Sequence, residues 1–136
     1  MTTPHPLTTS DLVQILTGDA QHIRVLKERQ QSEITKVAEE MPSNCLILLP
    51  EAVRRVLISL LKREIVPEQA QAWASFVKRG YIPTGRDAIS PILITYDANR
   101  EDEIVEAIAR LDELGDLLDG TLDDDEIRQL LEQLDK

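Results

Sequence analysis

Five segments of this chain carry aliphatic residues at spacings of three and four, and little else in the sequence limits the fold as tightly. That period lines one face of an α-helix, whereas the faces of a strand alternate every two residues. Aromatic residues make up only 3% of the chain, so the core has to be built from Leu, Ile, Val and Ala. Such residues form ridges that interlock between packed helices. The expected class is therefore all-α, a mostly helical bundle. Its 136 residues suit a single helical domain spanning 1–136, long enough to bury a core without disulfides or metals.

Local signals divide the chain into elements. Thr8, Thr9 and Ser10 offer cap oxygens to a short helix carrying Leu12, Val13, Ile15 and Leu16, which Gly18 stops. Asp19 is placed to cap a second helix running to about Met41. Its stripe (Ile23, Leu26, Ile34, Val37, Met41) is narrow and interrupted at Gln30, as on a surface helix. Pro42-Ser43-Asn44 breaks the chain. The run Cys45–Leu49 is a short buried strand or the first turns of a helix, and five residues do not separate the two. Pro50 suits a first helical position, and Val53, Val56, Leu57, Leu60, Leu61 and Ile65 then share one face. Pro67 and Gly80 bracket a helix with Ala70, Trp73, Ala74 and Val77 on one side. Leu57, Leu60, Leu61 and Trp73 are expected in the core, although Trp is also a frequent binding anchor.

Residues 81–99 contain Pro83, Gly85 and Pro91, which oppose a helix, and Ile92–Tyr96 reads as extended. A minor β pair between 45–49 and 92–96 is possible on this reading. Beyond Asn99, Ile104, Ile108, Leu111, Leu114 and Leu118 make a stripe ended near Gly120. Thr121 and Asp123 can cap a last helix carrying Ile127, Leu130, Leu131 and Leu134.

Charge is distributed unevenly along this pattern. Residues 97–136 hold 15 acidic and four basic side chains, a balance of −11, while the other 96 residues balance at +1. Acidic residues favour helix N-termini and keep a small domain soluble. They would also steer a basic macromolecule toward the surface. If they bind a partner, the contacting carboxylates are Glu103, Glu106, Asp112, Glu113, Asp116, Asp123, Asp124 and Asp125. A net charge of −10 argues against general nucleic-acid binding, because phosphate contacts need cations. A smaller basic set, Arg54, Arg55, Lys62, Arg63, Lys78 and Arg79, lies on two successive helices.

Motifs with chemistry were tested against the same residues. Aligning Gly120 with the glycine of a calcium loop puts Asp119, Asp123 and Glu126 at ligand positions. It also puts Gly115 and Leu117 where the first and third ligands belong, so tight calcium binding is not expected. Glu39-Glu40 and Glu101-Asp102-Glu103 are adjacent residues that point to different sides of a helix. No phosphate-binding glycine loop or nucleophile elbow occurs. Cys45 is alone in an apolar run, with His5 and His22 distant in sequence, and reads as an inert buried thiol. The expectation is no catalytic residue, no metal and no cofactor. The lack of a disulfide framework, a leader-like segment or a run of roughly 20 apolar residues points to a cytoplasmic protein without a membrane span.

Two segments resemble a known family. The stretch Ile65-Val66-Pro67-Glu68-Gln69-Ala70-Gln71-Ala72-Trp73-Ala74 resembles a loop-to-helix signature of small bacterial toxin-immunity proteins, which neutralise colicin-like and contact-dependent toxins. The acidic tail from Glu101 to Asp135 is similar in character to proteins that plug basic toxin active sites. The resemblance implies a non-enzymatic protein-binding module whose acidic C-terminal helices engage a basic protein partner. The rival readings are a structural subunit that self-associates and, third, a helical nucleic-acid-binding regulator.

Overall fold

The computed structural model describes residues 7–27, 31–41, 46–80, 92, 94–113 and 123–135. Within them the mostly helical class is as expected: α1 (Thr9–Leu16), α2 (Arg24–Lys27), α3 (Gln31–Glu39), α4 (Pro50–Leu61), α5 (Pro67–Arg79), α6 (Glu101–Asp112) and α7 (Asp124–Asp135). The β content is one parallel pair, β1 (Ile47–Leu48) with β2 (Thr95–Tyr96).

Helix α1 begins at a capping box. Thr8 Oγ1 accepts the Asp11 N–H at 3.3 Å, and the Asp11 carboxylate accepts the Thr8 N–H at 2.9 Å. It ends at Gly18, whose φ of +100° is open to glycine. A Cβ there would stand 2.5 Å from the Ala52 carbonyl oxygen, so the missing side chain lets α1 close onto α4.

Of the single helix expected from Asp19 to Met41, the first residues are not α-helical. The Asp19 side chain makes no cap bond. Residues Ala20–Ile23 instead form a 3-10 turn, followed by the single turn of α2, and α3 starts at Gln31. With no cap bond at Asp19, the first turn tightens to 3-10 geometry, and residues 28–30 lie outside the described residues. Ile23, Leu26, Ile34, Val37 and Met41 are nevertheless all buried.

Pro50 opens α4, which buries Ala52, Val53, Val56, Leu57 and Leu60, while Leu61 is only partly buried. The helix ends without glycine. Arg63 takes φ +62°, and the Glu64 N–H closes the turn on the Ser59 carbonyl at 2.8 Å. In α5, Gln69 Oε1 accepts the Val66 N–H at 3.0 Å, and Gly80 caps the C-terminus at φ +80°. Trp73 is fully buried, and its Nε1–H donates to the Ile15 carbonyl at 2.7 Å. The tryptophan of the segment Ile65–Ala74 is thus a core residue that ties α5 to α1.

The strand pair has register Ile47↔Thr95 and Leu48↔Tyr96. The Thr95 N–H donates to Leu46 at 2.9 Å and the Asp97 N–H to Leu48 at 3.0 Å. Cys45 and Leu93 lie outside the described residues. Helix α6 buries Ile104, Ala107, Ile108 and Leu111 and packs mainly on α5. Helix α7 buries Ile127, Leu130 and Leu134 and packs on α4 and α6. α6 ends at Asp112, earlier than the stripe running to Leu118 suggests. Leu114, Leu118, Gly120 and Thr121 lie outside the described residues. One connected core runs from Leu7 to Leu134. None of the described helices is long and apolar enough to cross a membrane.

Candidate functional site

The acidic region folds as α6 and α7, and the structure divides its carboxylates into two sets. One set is spent on holding the helices together. Asp112, at the C-terminal end of α6, lies between the two cations that end α5. Arg79 Nη1 donates to both carboxylate oxygens at 3.1 Å, and Lys78 Nζ donates to Oδ2 at 3.3 Å. The Asp112 backbone carbonyl accepts from Gln71 Nε2 at 3.1 Å. The Asp112 side chain retains 12% exposure. Burial pushes its carboxyl up, but the hydrogen bonds and charges of Arg79 and Lys78 outweigh this and hold it below the usual carboxylate range.

Arg110 makes the second clamp. Its Nη1 donates to Glu113 Oε2 at 2.6 Å on its own helix, and its Nη2 and Nε donate to Glu126 Oε2 at 2.8 and 3.2 Å on α7. This forked contact joins α6 to α7 through charge-assisted bonds. Asp123 Oδ1 accepts the Glu126 N–H at 2.8 Å and so caps α7. Two of the three acidic residues of the calcium-loop alignment are thereby committed to the fold, and Asp119 lies outside the described residues. Among the described residues no group of three His, Cys, Asp or Glu side chains is placed to hold a metal ion.

The second set faces outward. Glu101, Asp102 and Glu106 are exposed on α6, and no ion pair reaches them among the described residues. Spacings of four and three residues place Glu101 and Asp102 beside Val105, which is 47% exposed, and Glu106 follows it on the outer side of the helix. Asp125, on α7, keeps 88% of its side chain exposed while standing 3.6 Å from Arg128.

The eight carboxylates expected from sequence are therefore not one surface. Glu106 and Asp125 are open. Glu103 is partly exposed, 3.9 Å from Arg100, and Asp124 lies 4.0 Å from Arg63. Asp112, Glu113 and Asp123 serve the clamps and the cap, and Asp116 lies outside the described residues. Glu101 and Asp102 are open residues that the sequence reading passed over. Part of their signal was present: positions 102 and 106 lie opposite the buried stripe Ile104, Ile108 and Leu111, whereas Glu101 sits beside that stripe at the first turn of the helix. The basic set is divided in the same way, because Lys78 and Arg79 are turned onto Asp112 rather than onto a common face with Arg54 and Arg55.

Compared with protein-family models, with curated proteins and with solved structures, the chain matches none.

Proposed function

We propose that the protein is a non-enzymatic binding module that engages a basic protein partner through the exposed carboxylates of α6 and α7, in the manner of an immunity-type inhibitor. The observation that carries the reading is the outward side of α6, where Glu101 and Asp102 flank the exposed side chain of Val105 and Glu106 stands next to it in the chain, within a region balanced at −11. Charges on a rim steer encounter, and a central apolar side chain supplies contact that excludes water. The resemblance of the segment Ile65–Ala74 and of the acidic tail to toxin-immunity proteins supports the same reading. A cationic active site is the chemistry such a face would cover.

The test is kinetic. A partner captured from the native source is purified, and its association is measured over a range of salt. The comparison is between the natural chain and a variant carrying Glu101→Gln, Asp102→Asn, Glu106→Gln and Asp125→Asn. Each exposed pair is worth only about 0–1 kcal/mol, so the four changes are made together. Slower association with a flatter salt dependence is expected. An unchanged rate and an unchanged salt slope would remove α6 and α7 from the interface.

A further inference from the structure

We propose that the open edge of β1, with the apolar groove beside it, binds an extended cationic peptide segment of a partner protein by adding a strand to the sheet. The proposal concerns a surface separate from the acidic face of α6, so the two stand or fall by different variants.

The backbone supplies the first argument. In a parallel pair only alternate residues of a strand bond to their neighbour. β2 uses the carbonyls of Leu46 and Leu48, so the N–H and C=O of Ile47 point to the opposite edge. No other backbone group among the described residues meets them. A donor and acceptor turned to the outer edge of a strand recognise another main chain, which a small molecule or a docked helix face does not present.

The side chains supply the second. Four large apolar residues are well exposed in the described structure, and two of them, Val13 at 42% and Leu49 at 49%, line one groove next to Ile47. The groove is completed by Leu16, Thr17, Ala52 and Glu51 and has a volume of about 280 Å³. It exists because Gly18 lets the end of α1 abut the first turns of α4. Its volume lies just under the ~300–1,000 Å³ of small-molecule pockets. One turn of helix and one strand also fall well short of the ~800 Å² per partner that a stable dimer buries. A peptide side chain entering from a paired strand fits both limits. Glu51 is the one charged residue of the lining, and the chain carries −10 overall, so the fitting peptide has a Lys or Arg flanking its apolar residue.

The experiment pans a phage-displayed library of random heptapeptides against the whole chain, with the Leu49→Asp variant as counterselection. Enriched sequences are expected to alternate apolar and polar residues and to carry Lys or Arg. A synthetic peptide of the enriched sequence should shift the Ile47 amide resonance. N-methylation of its pairing residue should weaken binding at least tenfold, as should Val13→Asp, while Glu51→Lys should weaken it severalfold. Val13 and Leu49 are exposed, and Leu49 is the N-cap of α4, a position that favours Asp, so neither substitution should lower the urea midpoint, which is measured alongside. Four results would overturn the proposal: no enrichment over the counterselected variant, binding indifferent to N-methylation, shifts at α6 instead of Ile47, or sedimentation showing a dimer that Leu49→Asp dissolves. The last would assign the groove to a second copy of the chain.

Discussion

Replacing Asp112 with Asn removes one negative charge and keeps the shape of the side chain. In the folded protein that carboxylate accepts from Arg79 and Lys78 while retaining 12% exposure, so it is neither a surface ion nor a fully buried one. Exposed pairs contribute about 0–1 kcal/mol, and hydrogen bonds to charged groups about 1.5–3 kcal/mol. The two cations are 47% and 35% exposed and can return to water when their partner is lost, which places the expected cost at about 1–2 kcal/mol at pH 7. The pH dependence follows from the direction of the shift. The folded carboxyl titrates below its ordinary value, so its stabilisation is complete above the ordinary carboxylate range and fades as pH falls through the folded value. The difference between Asp112→Asn and the natural chain should therefore shrink as pH falls below the ordinary carboxylate range and through the folded value. Urea unfolding followed by circular dichroism at pH 7 and at acid pH, below the point where the folded carboxyl has taken up its proton, measures both numbers. Equal losses at the two pH values, or none at pH 7, would show that the clamp does not act through its charge. Because Asp112 is turned onto α5, the same variant should leave partner association unchanged. A slowed association would return Asp112 to the binding face.

Two other substitutions probe how the C-terminal helices are held. Arg110→Met removes the forked contact from α6 to Glu126 but keeps a long apolar stem, and should cost about 1–2 kcal/mol in urea unfolding. Protection of α7 amides from hydrogen exchange should fall more than that of α5, and uniform loss would mean the clamp is not local. Arg63→Gly should raise stability by about 0.5–1 kcal/mol. It relieves a left-handed residue at the end of α4 and gives up only an exposed 4.0 Å contact to Asp124, and a lowered urea midpoint would refute it.

Element type was largely legible in the sequence, because it depends on neighbours a few residues away. The stripe Val53, Val56, Leu57 and Leu60 is buried as its spacing requires, and Pro50, Pro67 and Gly80 stand where caps and stops were expected. The capping box at Thr8 and the cap at Asp123 are likewise local bonds spanning three residues. Two short extended segments could be named, and tertiary structure decided that they pair and that the pairing is parallel. The 3-10 start after Asp19 was not legible, because the cap bond that residue offers in sequence is not made in the fold.

The charge arithmetic shows the boundary most clearly. Counting side chains places −11 in the last 40 residues, and every one of those carboxylates looks alike in the sequence. Which of them remains available is set by partners 33 and 34 residues away, as for Asp112 with Arg79 and Lys78, or 16 residues away, as for Arg110 with Glu126. The same holds for the groove, whose walls come from α1, β1 and α4 and meet only because Gly18 permits their approach. Period and capping act through the covalent chain and can be read along it. Charge pairing and open edges depend on which surfaces the packed core brings together, and that is a property of the folded molecule.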